Sequence, residues 1–139
     1  MLTASAEIVV PFHDLDPVDI VWHGHYVKYL EVARDALMNR IGYSHAEMRA
    51  SGFLWPVIEM KLRYLQAARL RQKLLVRASI SEYEDRLKIV YDIFDAASGR
   101  RLTRAHTVQV AVRADTGEML FRTPAVLREK ITAAGSLPR

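Results

Sequence analysis

Residues 13–31, HDLDPVDIVWHGHYVKYLE, hold the densest set of groups able to do chemistry. Asp14, Asp16 and Asp19 lie in a polar, turn-like stretch that runs into His23-Gly24-His25, where a helical pattern begins. A helix start carries unpaired N–H groups and a partial positive charge. It can therefore hold an anion, including the oxyanion that develops on an attacked carbonyl. A carboxylate beside it can serve as nucleophile or as general base for water. The stretch thus offers both halves of an acyl-transfer site. The same residues have plainer uses. Each aspartate suits a turn or a helix cap, His25 suits a helix surface, and His23 after Trp22 suits a half-buried histidine bonded to backbone. His-x-His near acids also raises a metal site, but positions i and i+2 diverge on a helix, so no metal or other cofactor is expected.

Other chemistries lack their residues. The sequence has no cysteine, which excludes disulfides, thiolate nucleophiles and cysteine-ligated metals. No Gly-x-Ser-x-Gly elbow, phosphate-binding glycine loop, dinucleotide fingerprint or His-Glu-x-x-His is present. His106 stands alone on a strand pattern, where it packs or faces solvent. The formal charge is +4, but it is unevenly spread: residues 1–60 sum to −4 and residues 61–139 to +8. The bases of the second part are spread along alternating strands with few exposed aromatics expected between them, so they read as solvated strand faces. No nucleic-acid partner is expected.

The elements that must position the aspartates follow from periodicity. Glu7 to Phe12 suits a strand, with Pro11 marking an edge or a bulge near its end. From about His23, residues Tyr26, Tyr29, Leu30, Ala33, Leu37 and Ile41 recur every three or four positions, the spacing of one helix face, and Gly42 is a fitting stop. Ser44 to Ala50 reads as a short helical turn. The period then falls to two: Ile58 to Tyr64, Val76 to Ile80, Leu87 to Ile93 and Val108 to Val112 predict four strands on short connections, hence an antiparallel sheet. Pro124 to Ala134 fits a last short helix. With 139 residues, half of them hydrophobic and 26% charged, the chain predicts a single α+β domain over 1–139. No apolar run approaches the roughly 20 residues of a membrane span, and Met1 to Val10 lacks the pattern of a secretory signal, so a cytoplasmic location is expected. One helix covers only one face of such a sheet. Val90 and Phe94 oppose the Leu87 set, which leaves apolar surface for a further copy of the chain.

The run Asp14-Leu15-Asp16-Pro17, then Ile20-Val21-Trp22-His23-Gly24-His25-Tyr26 leading into Val27 to Glu31, resembles the hotdog-fold acyl-CoA thioesterases of the 4-hydroxybenzoyl-CoA thioesterase class and the related thioesterases of the Tol–Pal envelope system. The segment Lys61 to Arg69 is similar to the family's strand-to-turn segment, and the strand–helix–four-strand order agrees over nearly the whole chain. The resemblance implies a hotdog fold, a five-stranded antiparallel sheet wrapped around one long helix. It implies Asp16 as the catalytic carboxylate, the backbone N–H of His23 as oxyanion donor with its side chain orienting substrate, and Tyr26 near the acyl pocket beside Trp22. It implies a homodimer or homotetramer with the site at a subunit interface. Coenzyme A carries phosphates that surface bases could meet, and Arg69, Arg71 and Lys73 form the tightest cluster of bases. One departure is Asp19, where the family has Gly or another small residue. The implied activity is hydrolysis of an acyl-CoA or acyl-carrier-protein thioester. The alternatives are a hotdog dehydratase or hydratase acting through His23, and a non-catalytic acyl-thioester binder.

Overall fold

The computed structural model describes residues 1–135. In chain order it contains β1 (Thr3–Val9), short 3-10 turns at Phe12–Asp14 and His23–His25, α1 (Tyr26–Arg40), α2 (His45–Ala50), β2 (Phe53–Leu54), β3 (Val57–Tyr64), β4 (Lys73–Glu82), β5 (Leu87–Asp95), β6 (Arg101–Gln109), β7 (Val112–Arg113) and α3 (Ala125–Gly135). Five strands form an antiparallel sheet in the order β1-β4-β5-β6-β3, and β2 pairs separately with β7. The mixed α+β class with a hotdog arrangement is the one expected.

The helix forms where its apolar face predicts. Tyr26, Tyr29, Leu30, Ala33, Leu37 and Ile41 are all buried, and α1 packs chiefly on β1 and β4. The first turn, His23–His25, is 3-10, so the α-helix starts three residues later than the periodicity alone implies. Gly42 ends it in the left-handed region (φ 74°), and Ser44 opens α2 with a capping box to Glu47. On the sheet, Leu74, Val76, Ala78 and Ile80 of β4 and Leu87, Ile89, Tyr91 and Ile93 of β5 meet the helix as one buried layer. The Tyr91 hydroxyl reaches Thr107 at 2.9 Å inside this layer, and burial pushes its pKa up to about 12.

Two strand expectations need correction, and a third strand stands where expected but at an edge of the sheet. The first strand is Thr3–Val9, not Glu7 to Phe12; Pro11, with no N–H to donate, lies past its end, and β1 is indeed an edge. The last long strand is Arg101–Gln109, not Val108 to Val112. The apolar alternation of Val108, Val110 and Val112 runs on through the point where the chain leaves the large sheet for the β2–β7 pair. The Ile58 to Tyr64 strand is present as expected, as β3, and forms the other edge. Ile58 (53% exposed) and Tyr64 (46%) stay largely open while Met60 and Leu62 are half-buried. No helix among the described residues is long and apolar enough to cross a membrane.

Candidate active site

The loop between the two 3-10 turns is shaped by its own backbone. Leu15 and Val21 form an antiparallel bridge, Asp16 N–H donates to the Ile20 carbonyl at 2.8 Å, and Asp19 N–H donates to the Asp16 carbonyl at 3.0 Å. Outside contacts then fix the whole turn in place. Val21 N–H donates to Ala68 (2.9 Å), Ile20 is bridged to Arg69, and Trp22 N–H donates to the Asp14 carbonyl (2.9 Å).

The three aspartates do three different things. Asp14 is fully buried; one carboxylate oxygen accepts from Lys28 Nζ and the other from Tyr29 Oη, both at 2.6 Å. Burial works against its charge, but the hydrogen bonds from Lys28 and Tyr29 and the charge of Lys28 outweigh it, so the carboxyl lies below the ordinary aspartate value of 3.8. Tyr29 responds in the opposite sense, its hydroxyl pushed up by burial and by the Asp14 carboxylate. Asp16 is half-buried and uses one oxygen locally: Oδ1 accepts from Val18 N–H (2.9 Å) and Ile20 N–H (3.4 Å). Its second oxygen has no hydrogen bond among the described residues. Asp19 is exposed and sits at φ 64°, in the left-handed region that glycine enters without a Cβ penalty and that aspartate tolerates better than most residues. That accounts for its place in the loop.

Asp16, His23 and Tyr26 share one cleft of about 240 Å³, whose far wall is made by Tyr64, Leu65 and Ala67. Tyr26 Oη accepts the Ala68 N–H at 3.0 Å, and its pKa is raised by burial and by the nearby Asp16 charge. His25 N–H closes the His23 turn by donating to the Trp22 carbonyl at 2.9 Å, whereas the N–H groups of His23 and Gly24 have no acceptor among the described residues. A slightly larger groove of about 290 Å³ lies at the other end of α1, beside Met38, Trp55 and Gln109, away from Asp16. Carboxylate and free N–H groups, not cavity size, single out the Asp16 cleft as the candidate site.

The other expected residues stand outside the cleft wall. Trp22 is half-exposed and folds back on its own turn, its ring 5.0 Å from that of His23 and 5.2 Å from that of His25. Arg69 lies just beyond the wall, and Arg71 further on at φ 60°; both are exposed, and neither makes an ion pair among the described residues. A second basic group, not singled out from the sequence, lies on the outer sheet face, where Asp92 gathers Arg77 (3.3 Å), Arg101 (2.9 Å) and Arg104 (3.9 Å). Strand register makes it legible only once β4, β5 and β6 are aligned. The role most clearly missed is that of Asp14, which the sequence leaves level with Asp16 and Asp19. Its signal is the spacing to Lys28 and Tyr29, which requires knowing that the loop folds back over the first turn of α1.

Residues 10–134 match the thioesterase-like superfamily. The chain belongs to that family. A curated relative in Synechocystis sp., provisionally named an esterase, is 30% identical over 120 residues, covering 86% of this chain and 72% of that protein. The DHNA-CoA thioesterase of Staphylococcus aureus superposes with a TM-score of 0.86 at 24% identity, over 99% of this chain and 93% of that one. A 4-hydroxybenzoyl CoA thioesterase mutant complexed with 4-hydroxybenzoyl CoA superposes with a TM-score of 0.82 at 17% identity, over 94% and 99%. The hotdog fold and the thioester-hydrolase class expected from the sequence are both borne out.

The roles of the two flanking aspartates can be separated by stability. Replacing Asp14 by alanine leaves the buried Tyr29 hydroxyl without its acceptor and should cost about 1–3 kcal/mol in urea unfolding. A carboxyl whose pKa is lowered by folding stabilises the chain fully above its unfolded value and loses that contribution as pH falls through its folded value. The gap between wild type and Asp14→Ala should therefore be flat near neutrality and narrow below pH 3.8. Asp19→Gly relieves the left-handed strain and should hold or raise the unfolding midpoint, by up to about 1 kcal/mol; a clear loss would mean that the carboxylate has a partner of its own.

Proposed function

We propose that the protein hydrolyses an acyl-CoA thioester to a free carboxylate and a thiol, with Asp16 as the reacting carboxylate. The observation that carries this reading is the Asp16 side chain itself: one oxygen tied to the turn by two N–H groups, the other unpaired, in a cleft it shares with the His23 turn. The thioester carbonyl lies against the free N–H groups of His23 and Gly24, which stabilise the oxyanion as the carbon becomes tetrahedral. Asp16 either attacks that carbon, expelling the thiolate and leaving an anhydride for water to open, or takes a proton from the attacking water. Both routes need the same unpaired oxygen in the same place. The His23 side chain orients substrate, and Tyr26 forms the wall beside the acyl group.

His23 makes no ion pair with a carboxylate among the described residues. That favours Asp16 over His23 as the reacting group, since the dehydratase reading needs His23 paired with an acid. Arg69 and Arg71, exposed and unpaired next to the cleft wall, meet the coenzyme's phosphates. A second copy of the chain covers the open edge at β3, where Ile58 and Tyr64 are exposed, giving a homodimer or homotetramer at work in the cytoplasm.

The test is a hydrolysis screen over acyl-CoA and acyl-carrier-protein thioesters with wild type beside Asp16→Asn. An asparagine oxygen can still accept from Val18 and Ile20, so the fold should persist while turnover falls by roughly two to four orders of magnitude. His23→Ala should lose less. Wild-type rates from Asp16→Asn would remove the residue from its role, and tight binding of thioesters without release would favour the binder.

A further inference from the structure

Tyr64, the last residue of β3, reaches from the sheet edge to the turn that holds the free N–H groups. Its hydroxyl donates to the His23 carbonyl at 2.7 Å. Its ring meets that of Tyr26 edge-on, centroids 5.0 Å apart at 77°. Tyr26 is itself held by the Ala68 N–H, so the phenol of Tyr64 stands against a fixed wall. The turn is also covered by Trp22: a Cβ added to Gly24 would come within 2.2 Å of the indole. Thus the peptide between His23 and Gly24 is packed by an indole and hydrogen-bonded by a phenol.

The His23 carbonyl and the Gly24 N–H belong to one planar unit. A donor on the oxygen pulls electron density towards it and makes the N–H at the other end a stronger donor, the cooperativity of chained hydrogen bonds. The preceding unit is treated in the same way. His25 N–H donates to the Trp22 carbonyl, and the N–H of that unit is His23's own. Each free N–H therefore has a donor on the carbonyl of its own peptide. For His23 that donor is backbone; for Gly24 it is the Tyr64 side chain. Burial, with Tyr26 alongside, raises the Tyr64 pKa and keeps the hydroxyl protonated as a donor.

We infer that Tyr64 is a positioning residue for the oxyanion site, fixing the plane of the His23–Gly24 peptide and strengthening its N–H without itself touching the reacting carbonyl. This rests on the reading of Asp16 and the His23 turn given above. The hydroxyl is not required by the core: Tyr64 is absent from the buried cluster, and Tyr64→Phe keeps the ring against Tyr26 while removing only the bond to the His23 carbonyl. A purely structural role would therefore show in stability, whereas a role in the oxyanion site shows in kcat.

The experiment compares wild type, Tyr64→Phe, and chains carrying 3-fluorotyrosine or 3,5-difluorotyrosine at position 64. All are assayed on the acyl-CoA panel at mildly acid pH, where the fluorinated hydroxyls remain protonated. Tyr64→Phe should lower kcat about tenfold, with KM changed by less than about twofold and the thermal midpoint nearly unmoved. The fluorinated side chains, stronger donors at nearly the same size, should raise kcat in the order of their acidity. An unchanged kcat in Tyr64→Phe, a change confined to KM, or a kcat indifferent to fluorination would each overturn the inference. Asp16→Asn is run alongside. If wild type releases no thiol, or Asp16→Asn matches it, the reading of the site itself fails; if turnover depends on Asp16 but not on Tyr64, only the present inference fails.

Discussion

The buried carboxylate of Asp14 is the contact on which the rest of the site depends. Its two oxygens are spent on Lys28 and Tyr29, both in the first turn of α1, and its own carbonyl accepts the N–H of Trp22. Three bonds from one residue thus clamp the start of the loop to its end and to the helix. The intervening residues have little freedom left: Leu15 must meet Val21, and Asp16 must meet Ile20. A carboxylate and a set of free N–H groups seven residues apart in sequence are brought to one cleft by this clamp together with the long-range bridge of Ile20 to Arg69. The clamp is electrostatic and buried, so its energy comes mostly from not leaving the Tyr29 hydroxyl and the Asp14 charge unpaired.

The helix was the most legible element because its burial is set by a local period. All six residues chosen on spacing are buried, and the stop at Gly42 falls where the backbone turns left-handed. The strands were legible as strands but not at their ends. An alternation such as Val108, Val110, Val112 says that side chains point to alternate sides; it does not say that the same neighbour continues beside them. Here the neighbour changes after Gln109, when the chain passes from β3 and β5 to β2. The edge character of β3 was hidden for the same reason, since Ile58 to Tyr64 alternates as a buried strand does while strand order is a property of the whole sheet.

At the site, the aspartates were found by type, and the one proposed to react was singled out by resemblance. Spacing alone left Asp14, Asp16 and Asp19 as equals, because a short polar loop offers each the same local uses. What separates them is non-local for Asp14, whose partners sit on the helix, and conformational for Asp19, whose positive φ cannot be read from its side chain. Tyr64 is more distant still: it meets His23 across 41 residues, and in the sequence it is one more apolar position of a strand. Trp22 also has a local use that its sequence position hides: its ring lies over Gly24, and that contact makes the glycine necessary.

The two oxygens of Asp16 show how a carboxylate can be a turn residue and still keep one oxygen open. A carboxylate held by no hydrogen bond would wander among rotamers and pay for its orientation in every turnover. One fully satisfied by donors would be a poor base and a poor nucleophile, as Asp14 is with Lys28 and Tyr29 on its two oxygens. Asp16 takes the intermediate arrangement, with Oδ1 fixed by two backbone N–H groups and the other oxygen left unpaired among the described residues. The donors that fix it come from its own turn, so precision at this carboxylate depends on the loop backbone, and through the loop on Asp14. The same division recurs opposite it. The carbonyl ends of the Trp22–His23 and His23–Gly24 peptides are tied down by His25 and Tyr64 while their N–H ends stay free. On both sides of the cleft, one end of a polar group is committed to structure so that the other can be placed and left unpaired.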